Sequence, residues 1–346
     1  MKEATCRAAL LLLALPLFMT ITLSLFAQAP AGAYVAPSFD RQELGKVRGI
    51  DPSKGEFEIH KLASNVYMLQ PVGVNGATGN FGANVSAFVG DDGVVLIDPG
   101  FFNMQPKLEA AIKTISDKPV KYVLNTHWHG DHTEADAPFA KSGAVIIAQD
   151  NVRARMQTGS TRFIPSAVDA LPLITFDREI TLHINGGEVH GVRVPPGHTN
   201  TDVIYIYPEA KVVQMGDDFT FNNPRGGYPG WDMDADGVGG PEGPIAAYEY
   251  VLGHVGEDAK VIPGHGNLAT GADLVKPLAF LKAATSAVQQ DINEGKSLEQ
   301  IKQEKVLAKL DYLEEGQARE DAYIDRIYSA LTHRNATPQP YRGNQH

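Results

Sequence analysis

Three imidazoles and one carboxylate crowd into six residues, His127-Trp128-His129-Gly130-Asp131-His132, just after the apolar run 120–124. That run reads as a buried strand. Alternate side chains at a strand end point the same way, so His127 and His129 converge on one point. Gly130, with no Cβ, permits a tight turn that carries Asp131 and His132 to a second point nearby. Four such groups are costly to hold together unless a cation offsets their crowding. The donor set suits a borderline-soft divalent ion such as zinc. One cluster does not complete two sites, and the chain offers further donors after other apolar runs, at His198, Asp217 and His265.

Lys2 and Arg7 precede an apolar stretch over 9–26, and small residues follow through Ala33. This is the pattern of a secretory signal peptide over 1–33, cleaved after Ala33 or Ala29, with a periplasmic or secreted destination. No other run has the length of a membrane span, so no stable span is expected once the signal is removed. The one cysteine, Cys6, lies inside that signal, so the mature chain has neither a disulfide nor a cysteine ligand or nucleophile. The formal charge is −11. That acidity speaks against a nucleic-acid binder, which needs a basic stripe, but not against a small-molecule substrate at a locally positive centre.

Along the chain, 34–56 reads as a polar leader. Strands are expected at 66–69, 84–89, 94–97, 120–124, 144–148, 179–184, 189–194, 203–207, 212–215 and 260–262. Helices are expected at 106–115, 132–140, 150–156 with Asp150 as cap, and 245–252. The glycine-rich 73–82 reads as a hairpin or a loop bordering the site. From 273 the pattern turns helical, at 273–294, 298–310 and 319–332, and 333–346 is a polar tail. The apolar positions of these last helices suit docking on the rest of the chain or a homodimer contact, and the sequence does not choose. The segments 66–184 and 189–262 each alternate strands with helices. Two βα halves packed sheet to sheet, helices outside, let every sheet bury both faces.

Set out in this way, residues 66–266 resemble the metallo-β-lactamase-fold hydrolases, with H-x-H-x-D-H as the leading motif. The resemblance implies an α/β, four-layer αβ/βα sandwich over 57–272 with a helical extension over 273–332. It also implies two zinc ions at the sandwich edge. His127, His129 and His198 match the ligands of the first ion, and Asp131, His132 and His265 those of the second. Asp217 matches the bridging carboxylate, and Asp98 a supporting position behind the ligands. Class B β-lactamases with H-x-H-x-D use a cysteine where Asp217 stands. Those with the full cluster lack a bridging carboxylate. The complete set looks more like lactonases, glyoxalase-II-type thioesterases, phosphodiesterases and exported hydrolases of unassigned substrate. The family's Gly-Gly-Asn after the cluster is Glu134-Ala135-Asp136 here.

The resemblance implies a zinc-dependent hydrolase in which two ions about 3.5–4 Å apart share a hydroxide that attacks a small ester, lactone, amide or thioester. Asp131 is the candidate acid for the leaving group, and Tyr228 and Trp231 are candidate substrate contacts. A metallo-β-lactamase and a phosphodiesterase are the hydrolytic alternatives. An iron-dependent oxidoreductase is the alternative from another class. Its persulfide dioxygenases keep a single iron, and its flavin-linked diiron members carry Glu where His129 stands. Asp232, Asp234 and Asp236 before Gly237 resemble the opening of a calcium loop, but its twelfth position is Gly243 rather than Glu.

Overall fold

Runs of β-branched and aromatic residues build two sheets, and the two-residue period of a strand decides what each face meets. The computed structural model describes residues 49–77, 80–159, 165–222, 231, 238–310 and 317–332. The expected signal segment, the leader as far as residue 48, Tyr228, the acidic stretch 232–237 and the tail 333–346 lie outside them.

The first sheet runs in chain order: β1 (Gly55–Lys61), β2 (Val66–Gly73), β3 (Val85–Gly90), β4 (Gly93–Ile97), β5 (Val120–Leu124), β6 (Val145–Gln149) and β7 (Ile174–Phe176). The β1 to β4 meander is antiparallel, whereas β4 to β7 are parallel. The second sheet holds β8 (Glu179–Ile184), β9 (Gly187–Arg193), β10 (Val203–Tyr207), β11 (Val212–Gln214), β12 (Lys260–Ile262) and β13 (Ala269–Thr270). Its order is β13-β12-β11-β10-β9-β8.

Val95 and Ile97 of β4 share one buried cluster with Val203, Tyr205 and Tyr207 of β10, which joins the sheets face to face. Their neighbours Val94 and Leu96 point the other way, onto Leu108 and Ile112 of α1 (Gln105–Ile115). Ile204 and Ile206 likewise point outward. They join Ala247 and Val251 of α5 (Glu242–His254), Leu281 and Val288 of α6 (Val275–Asn293), Ile301 of α7 (Leu298–Gln303) and Ile324 of α8 (Gln317–Thr332). Each such side chain stabilises the fold by about 1.5–3 kcal/mol on leaving water. The result is the four-layer αβ/βα sandwich, with the described C-terminal helices docked on the second sheet. Three more helices follow strands of the first sheet: α2 (Gly130–Thr133), α3 (Asp136–Lys141) and α4 (Asp150–Thr158).

Three sequence expectations need correction. Strand β8 pairs with β9 along its whole length, so the first half ends at β7 rather than at residue 184. Asp150 does not cap α4: the Gln149 side chain accepts from Asn151 N at 2.6 Å, and Asp150 is the first helical residue. The helix expected over 298–310 stops at Gln303, because Lys305 is left-handed at φ 51°. The buried carboxylate of Glu320 on α8 then accepts from the Leu307 and Ala308 amides.

Parallel β4 and β5 end at one edge of the sandwich, as do parallel β11 and β12. Two backbone bonds tie the sheets there, Asn84 N to Gly264 O at 2.8 Å and Val203 N to Thr126 O at 2.9 Å.

Candidate metal centre

At this edge the ends of four segments bring the donors together. β5 delivers His127 and His129, and the short α2 turns Asp131 and His132 inward. The turn between β9 and β10 carries His198, the residues after β11 carry Asp217, and those after β12 carry His265. They form three overlapping groups: His127, His129 and His198; His127, His132 and Asp217; Asp131, His132 and His265. Within each, the donor atoms lie within 4.8 Å of one another.

The donor geometry is that of a cation site. His129 Nδ1 and His198 Nε2 stand 3.1 Å apart, so their in-plane lone pairs repel unless a proton or a metal ion lies between them. Asp217 is shared: Oδ1 lies 3.3 Å from His132 Nε2, and Oδ2 lies 3.4 Å from both His198 Nε2 and His265 Nε2. His265 Nε2 also lies 3.3 Å from Asp131 Oδ2. His127 Nε2, His132 Nε2 and Asp217 Oδ1 are buried without a hydrogen-bond partner. Such atoms cost free energy unless something coordinates them.

Asp98 explains why those nitrogens are bare. It sits left-handed at φ 58°, a conformation Asp tolerates better than most residues, and is fully buried. Its Oδ1 accepts from Thr126 N at 2.8 Å, and its Oδ2 from Thr126 Oγ1 at 2.7 Å and His132 Nδ1 at 2.9 Å. Since the Thr126 hydroxyl proton goes to Asp98, His127 Nδ1 donates to Thr126 Oγ1 at 3.0 Å. One carboxylate therefore fixes Nδ1 of both imidazoles as the donor and turns Nε2 of each toward the centre, His127 with a lone pair and His132 with a proton that a bound cation would displace.

In the metal-free chain the set balances its own charge. Burial and the neighbouring imidazoles hold His127 well below the usual histidine range. For His132, burial pulls downward but the charges of Asp98 and Asp217 outweigh it, and the ring is raised. Burial pushes Asp217 upward, yet His265, His132 and His198 together hold it well below the carboxylate range. Asp131 is lowered likewise, with its hydrogen bond to His265 and the His132 charge overcoming burial.

Two glycines let the segments approach. Gly216 is left-handed at φ 55°, and a Cβ there would meet Thr126 Oγ1 at 2.6 Å. A Cβ on Gly264 would meet Asp217 Oδ1 at 1.9 Å.

The structure separates the remaining candidates. Trp231, a candidate substrate contact, has a side chain only 1 % exposed that packs edge-on against Tyr323 at 4.9 Å, inside the second sheet's helical cluster. Asp136 is buried under the cluster and accepts from Asn125 Nδ2 at 3.2 Å. Several residues around the ligands went unread in the sequence. Asn84 and Gln214 bond beneath the centre, and Gln214 Nε2 donates to Asn84 O at 2.8 Å. Asp202 and Asp218 hold the His198 turn, Asp218 Oδ1 accepting from His198 N at 3.3 Å and Asp202 Oδ2 from Thr199 N at 2.8 Å. Burial lifts Asp218 to about 7 with help from the Asp217 charge, and burial and Asp218 lift Asp202. Tyr248 Oη donates to Asp218 O at 2.8 Å. Asn84, Gln214, Asp202 and Asp218 were marked in the sequence only as polar residues inside or beside apolar runs.

The model of the metallo-beta-lactamase superfamily matches residues 78–272, more than half of the chain, and the protein belongs to that superfamily. Solved structures agree on the fold. A metallo-beta-lactamase from Pontibacter korlensis superposes with a TM-score of 0.54 at 20% identity, over 66% of this chain and 99% of that one. DIM-1 metallo-beta-lactamase gives 0.52 at 18% identity, over 66% and 98%. The stereoselective inverting sec-alkylsulfatase Pisa1 from Pseudomonas sp. gives 0.56 at 16% identity, over 80% of this chain and 50% of that chain.

Proposed function

We propose that the protein is an exported zinc-dependent hydrolase of small esters, lactones, amides or thioesters, periplasmic or secreted, with a two-ion centre. The observation that carries this reading is the convergence of His198, Asp217 and His265 on the cluster, at 3.3–3.4 Å across Asp217. His127, His129 and His198 would hold one ion, Asp131, His132 and His265 the other, and Asp217 both. When bound, the ions supply Lewis acidity and bring the pKa of water down to about 7. The chain contributes the rest. Asp98 keeps two imidazoles in the ligating tautomer, and the sheet edges hold the donors without further rearrangement. Asp131 is 17 % exposed against 11 % for Asp217, and while its Oδ2 faces His265 Nε2 its other oxygen would relay the proton of the attacking water to the leaving oxygen, nitrogen or sulfur. Proton and leaving group then balance, with water adding across the cleaved bond.

β-Lactam cleavage is the second reading, favoured by two structural neighbours that are metallo-beta-lactamases, and the carboxylate of Asp217 argues against it. The test is metal analysis of the purified chain, followed by hydrolysis assays on aryl esters, acyl lactones, thioesters, a chromogenic cephalosporin, phosphodiesters and secondary alkyl sulfates. Two zinc equivalents with turnover of the acyl substrates support the proposal. A single iron with oxygen consumption in place of hydrolysis sinks it.

A further inference from the structure

Two buried polar side chains add to the backbone bonds that hold the ligand turns of the second sheet. His198 sits between Gly197 and Thr199, and Asp202, buried at 4 % exposure, reaches back across that turn. Its Oδ2 accepts from Thr199 N at 2.8 Å and Gly197 N at 3.3 Å, and its Oδ1 accepts from the Thr199 hydroxyl. His265 lies within 263–266, and Asn84, 1 % exposed, reaches it from the other sheet. Asn84 Nδ2 donates to Pro263 O at 2.8 Å and to Gly266 O at 3.0 Å, while Asn84 N donates to Gly264 O. Each side chain therefore grips its turn on both sides of one histidine.

We infer that Asn84 and Asp202 are separate positioning residues. Asn84 serves the Asp131, His132 and His265 group, and Asp202 serves the His127, His129 and His198 group, so that each ion can be lost without the other. This rests on the two-ion reading above. The chemistry differs at the two ends. Asn84 works as a double donor to carbonyl oxygens, which only an amide of that length supplies. Asp202 works as an acceptor for two amides and a hydroxyl, and an Asn there keeps one oxygen for the amides and turns its NH2 toward a hydroxyl that also accepts.

The experiment titrates the metal-free protein with Zn2+ by calorimetry and with Co2+ by visible absorption, comparing wild type, N84A, N84D, D202A and D202N, with H198A and H265A as references. Expected are two equivalents for wild type and a loss of about 10–100-fold in affinity for one equivalent in N84A. That equivalent should be the one H265A removes. N84D should bind it more weakly than N84A despite its better size, because it sets oxygen against Pro263 O and Gly266 O. D202A should weaken the equivalent that H198A removes, with D202N restoring most of it. Parallel weakening of both equivalents in a single variant would overturn the assignment, as would N84D binding like wild type or D202N no better than D202A. If N84A or D202A does not fold, N84S and D202S carry the same comparison. A wild-type chain that binds no metal refutes the two-ion reading itself, whereas two equivalents lost together in the variants refute only the assignment to Asn84 and Asp202.

Discussion

Adding one methyl group at Gly264 tests how closely the turns after the paired strands β11 and β12 must approach at the centre. The Cβ of Gly264→Ala would lie 1.9 Å from Asp217 Oδ1, 2.7 Å from Gly216 C and 2.8 Å from Gly216 O, where ordinary contact begins at 3.4 Å. Relief needs a movement of about 1.5 Å, and two routes exist. The turn can lift, but Gly264 N donates to Gly216 O at 2.8 Å and Phe219 O at 3.0 Å, and Gly264 O accepts from Asn84 N, so lifting sacrifices bonds worth about 1 kcal/mol each. Alternatively Asp217 can swing away, which breaks its approach to His132, His198 and His265. Crowding of this kind costs about 1–3 kcal/mol. At about 2–4 °C per kcal/mol for a chain of this order, the metal-free Tm falls by roughly 2–12 °C. Misplacing Asp217 by more than 1 Å lowers kcat/KM on any substrate turned over by about 100-fold. Scanning calorimetry and zinc titration are the assays. A variant that melts and binds zinc as the wild type does would refute this account of the packing.

Asp98→Asn keeps the volume but puts an amide nitrogen among groups that donate to Asp98. The His132 proton is driven to Nε2, and zinc affinity falls by about 10–100-fold in a calorimetric titration with the fold retained. Zinc binding at pH 7 releases protons: burial pulls His265 down, but Asp217 and Asp131 carry it up to about 9, so its proton must leave. Apparent affinity therefore rises with pH at least to about 9, since the raised His132 must lose its proton as well, and a binding enthalpy independent of buffer ionisation at pH 7 would contradict this. Trp231→Ala empties a core position and lowers stability by about 3–5 kcal/mol in denaturant titration. It leaves KM unchanged, since the indole faces Tyr323 rather than the centre.

What could be read in advance followed sequence distance. The cluster from His127 to His132 is local, so strand geometry and one glycine suffice to place its two pairs. The apolar runs likewise announced most strands within a residue or two. Pairing did not follow, because β8 looks the same whether it closes the first sheet or opens the second, and only its neighbour β9 decides. Trp231 carries an aromatic side chain in a glycine-rich stretch, which fits a substrate wall and a core position equally well. Its burial depends on α8, almost 90 residues later. Asn84 gave even less away, since an amide before a strand says nothing about carbonyls at Pro263 and Gly266.

The linear order of residues thus determined the chemistry on offer: four ligating groups after one strand, three more after others, an acidic chain and a sandwich of alternating layers. Tertiary structure decided which lone pairs point inward, because Asp98 reaches Thr126 and His132 only when β4 and β5 lie parallel. It also decided the convergence of His198, Asp217 and His265. Closing such long loops costs chain entropy that no local pattern offsets, and the burial of two packed sheets does.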